Sequence, residues 1–334
     1  MTPPRLTFFC ELDVDTLDEL INEETIQDIK DLNGSVSLGI MDFGPRRAGV
    51  VRRLNQAGIP VIGWLLLSKE QGYWFNLMNY TLAHDCYSAF KDWTEVNGLL
   101  WAGVGLDIEP DILELEQLYE SKRQMLRKVI GRLFSRKQLN DAKMHYQDLV
   151  AQIKSDGYRV ESYQFPIIAD ERKARSTLIQ RTSGVVDIAV DKEVWMLYTS
   201  FVRPHGAGIL GSYAPEAQAI GIGSTGGGVD IGLVDMRPLD WDELSRDLRL
   251  AWYWCEDLYI FSLEGCIRQR FMGRLKEFQW DYPILLPEDQ IRRVNGWRGT
   301  IRSGLWLFAH PLVPLLTVFG VYALYKGVQR VMKE

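Results

Sequence analysis

The chain has 334 residues, of which 46% are apolar and 25% charged, and its formal net charge is −6. With 11 Trp, 14 Tyr and 13 Phe there is ample material for a core, which excludes a largely disordered chain. The net negative charge argues against a nucleic-acid-binding protein, which typically carries a surface rich in Lys and Arg. Four widely spaced cysteines and four histidines fit neither a disulfide framework nor a zinc pattern, so we expect buried thiols and no bound metal.

Strand-like runs alternate with helical runs over residues 1–285. The predicted strands are Leu6–Cys10, Val36–Met41, Val61–Leu66, Leu99–Ile108, Arg159–Phe165, a segment within Val194–Tyr198, Ala219–Gly223 and Leu258–Leu263. The predicted helices are Asp15–Leu32, Arg46–Ala57, Leu82–Val96, Ile112–Lys154 with a break near 137–141, and a last helix ending near Phe278. Eight strands in this length predict an α/β fold, a (β/α)8 TIM-like barrel. A doubly wound open sheet is the alternative, although the first strand lacks a glycine-rich dinucleotide turn.

The end of the chain has a different composition. Residues 286–303 are polar and basic and are interpreted as a linker. The stretch from Gly304 to Tyr325 has 22 residues without a formal charge, close to the ~20 that span a bilayer. We therefore predict a transmembrane helix over 304–326, followed by a short basic tail over 327–334. The alternative is a buried helix that closes over the core. The N-terminus lacks the features of a secretory signal, and the side of the membrane on which the barrel lies is left open.

Two carboxylates follow the fourth predicted strand, in the sequence GVGLDIEPD. Asp107 and Glu109 are two residues apart, so on a strand both point to the same side, here the mouth of the barrel. Mutual repulsion raises the pKa of one of them and leaves a proton donor near neutrality, as the cleavage of a glycosidic bond requires. A solvated strand end, a helix cap and a divalent-metal pair are the alternatives.

Residues 105–109, GLDIE, resemble the end of the DGxDxDxE signature of family 18 glycoside hydrolases, the chitinase-like enzymes. The resemblance implies that Glu109 is the catalytic acid and that Asp107 orients the N-acetyl group of the substrate. The segment Trp195-Met196-Leu197-Tyr198 resembles the family's M-x-Y element, which implies that Tyr198 also contacts that group. The implied mechanism is substrate-assisted: Glu109 protonates the leaving oxygen while the acetamido carbonyl attacks the anomeric carbon.

The resemblance has departures. Gly105 stands where the family has the first aspartate of the DxDxE end of that signature, and Thr199 follows Tyr198 where the family usually has Asp. The tryptophan expected at the end of strand eight is replaced by the segment Phe261-Ser262-Leu263-Glu264. A non-hydrolytic sugar-binding barrel therefore stays open as an alternative.

Other polar and aromatic residues are predicted at the same mouth. Substrate contacts are expected from Glu11, Asp42, Trp64, Gln164, Trp195 and Glu264, with Trp74 beside them. Each is explained individually by packing or solvation, but together they predict an acidic mouth suited to hydroxyl-rich ligands. Glu264 is also a candidate nucleophile or base.

A glycine-rich run, Gly221–Gly228, follows the seventh strand. Phosphate binding by its backbone N–H groups is one interpretation, and a lid or a tight turn with positive φ is the other.

These observations predict a membrane-anchored glycoside hydrolase-type barrel, with no cofactor, acting on an N-acetylated glycan or glycoconjugate. A non-catalytic carbohydrate-binding barrel is the second hypothesis. A barrel enzyme that depends on a metal or on phosphate binding is the third.

Overall fold

The computed structural model describes residues 3–114, 122–229 and 237–312. Eight parallel strands follow each other around a closed barrel in chain order, and the eighth pairs with the first. They are β1 Arg5–Cys10, β2 Ser35–Ile40, β3 Val61–Leu65, β4 Gly103–Asp107, β5 Val160–Gln164, β6 Lys192–Met196, β7 Ala219–Gly223 and β8 Asp257–Phe261. The predicted (β/α)8 barrel is confirmed, and each predicted strand overlaps an observed one.

Helices surround the strands. They are α1 Val14–Leu20, α2 Glu23–Asp31, α3 Pro45–Gln56, α4 Ala83–Asn97, α5 Lys122–Arg132, α6 Arg136–Ser155, α7 Ile167–Lys173, α8 Leu178–Ser183, α9 Gly206–Tyr213, α10 Trp241–Trp252, α11 Leu263–Arg268, α12 Phe271–Lys276 and α13 Glu288–Ala309. The predicted helix 15–32 is two helices, because the Asn22 side chain accepts a hydrogen bond from Thr25 N at 3.0 Å and begins α2. The break predicted near 137–141 lies at 133–135.

The alternation of side chains along each strand divides the core into two layers. On β1, Phe9 points into the barrel, where it packs with Trp64, Tyr163 and Tyr259. Phe8, one position earlier, belongs to the larger core between the strands and the helices. The interior is therefore filled by side chains, as in other barrels of this type, and a ligand can enter only at an end.

The segment predicted as a basic linker is a helix that packs on the barrel. Helix α13 covers residues 288–309, so the boundary predicted at residue 304 falls inside it. Gly208 and Gly211 of α9 allow close approach, since a Cβ on either would lie within 2.7 Å of an α13 atom. Arg298 of α13 is buried and bonds Asp170 at 2.9 Å. The linker prediction failed because this arginine is an inward-facing anchor, not a solvated charge.

The predicted transmembrane helix lies mostly beyond the described residues. Its residues 304–309 belong to α13, while 313–326 and the predicted tail 327–334 are outside the described part of the chain. Among residues 3–114, 122–229 and 237–312, no helix is both long and apolar enough to cross a membrane.

Candidate functional site

Asp107 ends β4, and Glu109 lies two residues beyond it, at the mouth. The segment before α4 holds this strand end in place: Phe75 N donates to Asp107 O at 3.1 Å, and Glu109 N donates to Phe75 O at 3.0 Å. Asp107 is 1% exposed, and its Oδ1 has no hydrogen-bond partner within the described residues. Glu109 is half-buried and lines a cavity. An orphaned carboxylate oxygen at the end of a cavity is a group available to a ligand.

The two carboxyls cannot both ionise easily. Burial raises the pKa of Glu109 to about 7. The pKa of Asp107 is raised well above its usual range, first by burial and then by the negative charges of Glu109 and Glu11. Because each charge disfavours the other, the protonated form of one of the two carboxyls is favoured near neutral pH.

Glu11 is a third buried carboxyl at this end. Its Oε1 accepts a hydrogen bond from the Tyr73 hydroxyl at 2.6 Å, and its Oε2 accepts one from Val229 N at 3.2 Å. Burial raises the pKa of Glu11 to about 8, and the charges of Glu264 and Glu109 add to the rise. The raised pKa of Glu11 therefore favours its protonated form near neutral pH.

The glycine-rich loop covers Glu264. Gly226, Gly227 and Gly228 all have positive φ, and a Cβ on Gly227 would lie 2.5 Å from Glu264 Oε1. Gly228 N donates to that oxygen at 3.2 Å, while Glu264 Oε2 is buried without a partner among the described residues. The tight-turn interpretation is therefore correct. Phosphate binding is disfavoured, because Gly228 N donates to Glu264, while Thr225 N and Gly226 N donate to Phe261 O and Ser224 Oγ.

Tyr198 lies in the same cavity, against the ring of Phe261. The two rings stack with centroids 5.4 Å apart and an interplanar angle of 27°. Burial raises the pKa of Tyr198, and the charges of Glu109 and Asp107 raise it further, so the phenol stays a neutral donor. The position after Tyr198, Thr199, is buried and bonds Asp247.

The structure brings together only some of the predicted substrate contacts. Glu11, Trp64 and Trp74 line the cavity with Asp107, Glu109 and Tyr198. Trp64 Nε1 is buried without a partner among the described residues, close to the β4 carboxylates. Glu264 lies at the same end but under the loop, outside the cavity lining.

Three predicted contacts lie elsewhere. Trp195 faces the helices, where its Nε1 donates to Glu193 at 3.2 Å and its ring meets Tyr213 edge-on. Asp42 accepts hydrogen bonds from Arg47 Nε at 2.8 Å and Gly44 N at 2.9 Å, and so secures the start of α3. Gln164 is buried, with its amide oxygen bonded to Phe165 N at 3.1 Å. Each of these side chains is committed to the fold.

The cavity measures about 970 Å³ and extends well beyond the carboxyls. It runs outward past the segment that follows β6 and reaches Val294 and Ile301 of α13. The sequence did not predict this outer part, because α13 was interpreted as a linker. It also missed Tyr73, which lies in a loop with φ +66 and carries no pattern that links it to Glu11.

No family model matches this sequence, and a search of curated proteins finds no match either. Among solved structures, the chain is similar to the glycoside hydrolase domain of PgaB (BpsB) from Bordetella bronchiseptica, with 10% identity, TM-score 0.49, and coverage of 84% of this chain and 100% of that one. It is also similar to a xylose isomerase-like TIM barrel protein from Mycobacterium smegmatis, with 12% identity, TM-score 0.41, and coverage of 82% and 97%. An L-ribulose 3-epimerase matches with 13% identity, TM-score 0.41, and coverage of 93% and 98%.

At these sequence identities and TM-scores, the similarities identify neither a substrate nor a reaction. The resemblance to family 18 rests on the motif residues alone.

Proposed function

We propose that this barrel is a glycoside hydrolase in which Glu109 protonates the glycosidic oxygen of an N-acetylated sugar. The observation that carries the proposal is the placement of Asp107 and Glu109 together at one end of a cavity large enough for a ligand, with Asp107 Oδ1 buried and unpartnered among the described residues. Burial raises the pKa of Glu109 to about 7, as a general acid requires. Trp64 and Trp74 supply aromatic surface beside it.

In the proposed reaction the C–O bond to the leaving group breaks as Glu109 delivers its proton to the departing oxygen. The acetamido carbonyl oxygen of the substrate bonds to the anomeric carbon, and Asp107 and Tyr198 stabilise that intermediate. A water molecule then attacks the anomeric carbon as its bond to the acetamido oxygen breaks, and the water gives its proton to the Glu109 carboxylate, which restores the starting state. The N-acetyl step follows from the resemblance of residues 105–109 and 195–198 to family 18.

The test is the hydrolysis of a panel of fluorogenic N-acetylhexosaminides by the wild-type protein and Glu109→Gln. General acid–base catalysis contributes roughly 10²- to 10⁴-fold, so we expect kcat to fall by about that factor in Glu109→Gln. The matched control is Asp148→Asn on the exposed surface of α6, which should retain full turnover. Equal turnover by Glu109→Gln and the wild type would remove Glu109 from the reaction.

A non-catalytic sugar-binding barrel is the second candidate. It is favoured because Tyr163 leaves no room for a side chain at Gly105. Tyr163 fills the space that the family's aspartate at this position would occupy. Binding of an N-acetylated oligosaccharide by both proteins, with turnover by neither, would support this candidate.

We also propose that residues 304–326 attach the protein to a membrane. The support is the uncharged sequence from Gly304 to Tyr325. The full chain should co-sediment with phospholipid vesicles, and a chain ending at residue 312 should stay in the supernatant. Equal sedimentation of both would contradict the proposal.

A further inference from the structure

The outer part of the cavity has a different chemical character from its acidic end. We call it the apolar limb, and its walls are Ile167, Phe201, Val202, Ile209, Val294 and Ile301. These side chains carry no polar atom. The limb is therefore a largely hydrophobic continuation of the candidate active site, although Tyr213, Trp297 and Arg298 also line the cavity.

Two polar residues that border the limb, Arg298 and Tyr213, already have partners among the described residues. The Arg298 guanidinium bonds Asp170 at 2.9 Å and the carbonyl of Ser212 at 2.6 Å. The Tyr213 hydroxyl donates to Asp170 at 2.5 Å. A second or third sugar ring placed here would lose water from its hydroxyls without gaining hydrogen bonds, at a cost for each buried hydroxyl. An oligosaccharide is therefore a poor occupant of the limb.

The limb opens onto an apolar face of α13. Trp297, Ile301, Phe308 and Leu312 are 42%, 40%, 45% and 68% exposed. Trp297, Ile301 and Phe308 follow helical spacing on one side of α13, and Leu312 lies just past its end. An apolar chain that leaves the limb can continue along this face in contact with apolar side chains.

We propose that the substrate is amphiphilic: a sugar held at Asp107 and Glu109, joined to a linear apolar aglycone that occupies the limb. The chemical class is a glycoside of a long alkyl, acyl or isoprenoid chain. The inference rests on the proposed function for the chemistry at the sugar end, while the apolar end rests on the cavity alone. Continuity of one cavity from the carboxyls to Ile301 joins the two.

The experiment measures binding, so that it does not depend on turnover. Full-length Glu109→Gln is titrated with methyl, hexyl, octyl and decyl β-glycosides of N-acetylglucosamine below their micellar concentrations, with tryptophan fluorescence as the readout. Each methylene that enters the limb should raise the affinity by up to about fourfold. The N-acetylglucosamine trimer should bind no more tightly than the methyl glycoside.

Ile301→Asp tests whether the chain lies in the limb, and Leu307→Asp is its matched control. Both residues are exposed on α13, at 40% and 46%, but only Ile301 lines the cavity. The chain-length dependence should disappear in Ile301→Asp and persist in Leu307→Asp. The proposal is overturned if affinity does not depend on chain length, if both variants keep the dependence equally, or if the trimer binds more tightly than the octyl glycoside.

The outcomes also separate this inference from the proposed function. If affinity depends on chain length but the wild-type protein hydrolyses no glycoside, the amphiphilic ligand is supported and the hydrolase proposal is contradicted. Turnover of short glycosides without chain-length dependence would retain the hydrolase and remove the amphiphile.

Discussion

The phenolic oxygen of Tyr163 occupies the space that a side chain on Gly105 would need. A Cβ on Gly105 would lie 2.3 Å from Tyr163 Oη and 2.8 Å from Cζ, far inside van der Waals contact. The hydroxyl is hydrogen-bonded to Ser37 Oγ at 2.6 Å, which fixes the ring. In this barrel, the tyrosine and the aspartate of the family motif are therefore mutually exclusive.

Gly105→Ala should destabilise the protein, because the new methyl group overpacks the barrel interior against Tyr163. We expect the free energy of unfolding to fall by roughly 1–3 kcal/mol, measured by urea denaturation. The matched control is Gly49→Ala in α3, where no atom lies within 4 Å of the new Cβ. That variant should be neutral or gain up to about 1 kcal/mol. An unchanged urea midpoint in Gly105→Ala would mean that Tyr163 moves away freely.

If Glu109 is the acid, activity should decline above neutral pH. Burial raises the pKa of Glu109 to about 7, and only the protonated carboxyl can donate. We expect kcat/KM for an N-acetylhexosaminide to fall about tenfold per pH unit once the pH exceeds that value. The decline in activity at high pH reports the titration of Asp107 and Glu109 together, not of either residue alone. A pH–rate profile from 5 to 9 checks it, and activity that rises steadily through pH 8 would assign Glu109 a different role.

Glu11 should make stability depend on pH. Its pKa is about 8 in the folded protein against an ordinary value of 4.5, so the folded state binds the extra proton. The stabilisation is fully present below pH 4.5 and is lost as the pH rises toward 8. The slope from this one group is at most about 1.4 kcal/mol per pH unit.

Urea midpoints measured between pH 5 and 8 check the effect. Glu11→Gln keeps an acceptor for Tyr73 but cannot titrate, so its stability should fall less steeply with pH than that of the wild type. Asp148→Asn, on the exposed surface of α6, should keep the wild-type slope. Identical slopes in all three proteins would exclude Glu11 as the linked group.

The barrel and the Asp107–Glu109 pair could be predicted because both depend on local patterns. Strands such as β3 (VIGWL) and β7 (AIGIG) are short apolar runs, and two carboxylates two residues apart on a strand share one of its faces. The inward or outward direction of a neighbouring side chain depends on register, and a shift of one residue reverses it. Met196 points into the barrel and Trp195 points to the helices, which the sequence of β6 alone does not distinguish.

The outer part of the site could not be predicted, because it depends on contacts between distant residues. Arg298 belongs to a segment that is basic in sequence, and its partner Asp170 is 128 residues away. Unless that pair is known, the sequence of α13 is typical of a solvated linker. The contribution of Val294 and Ile301 to the cavity wall then cannot be predicted. Arg298 is one of the basic residues that make this segment look like a linker, and its ion pair with Asp170 is also what holds α13 beside the barrel.

Gly227→Ala should open the loop over Glu264. The residue has φ +106, and its Cβ would lie 2.5 Å from Glu264 Cγ and 2.6 Å from Ser262 Oγ. Gly58→Ala is the matched control, since φ is +76 there and no atom lies within 4 Å. The control should lose only the roughly 1–2 kcal/mol of left-handed strain, whereas Gly227→Ala should lose more, measured by urea unfolding. Equal losses would mean that the loop moves off Glu264 without cost.

Arg298 should be the residue that holds α13 against the barrel. Its guanidinium is buried with Asp170, and its removal leaves that buried carboxylate with the longer contact to Arg302 Nε at 3.7 Å. Such losses are roughly 3–5 kcal/mol, so we expect Arg298→Ala to lower the free energy of unfolding by about that amount. Arg292→Ala is the control, because the Arg292 side chain is 74% exposed on the same helix and forms an ion pair with the exposed Asp289. Arg298→Ala should also abolish the chain-length dependence of alkyl glycoside binding, since Val294 and Ile301 leave the cavity when α13 detaches. Retention of that dependence in a destabilised Arg298→Ala protein would show that α13 reaches its place without the ion pair.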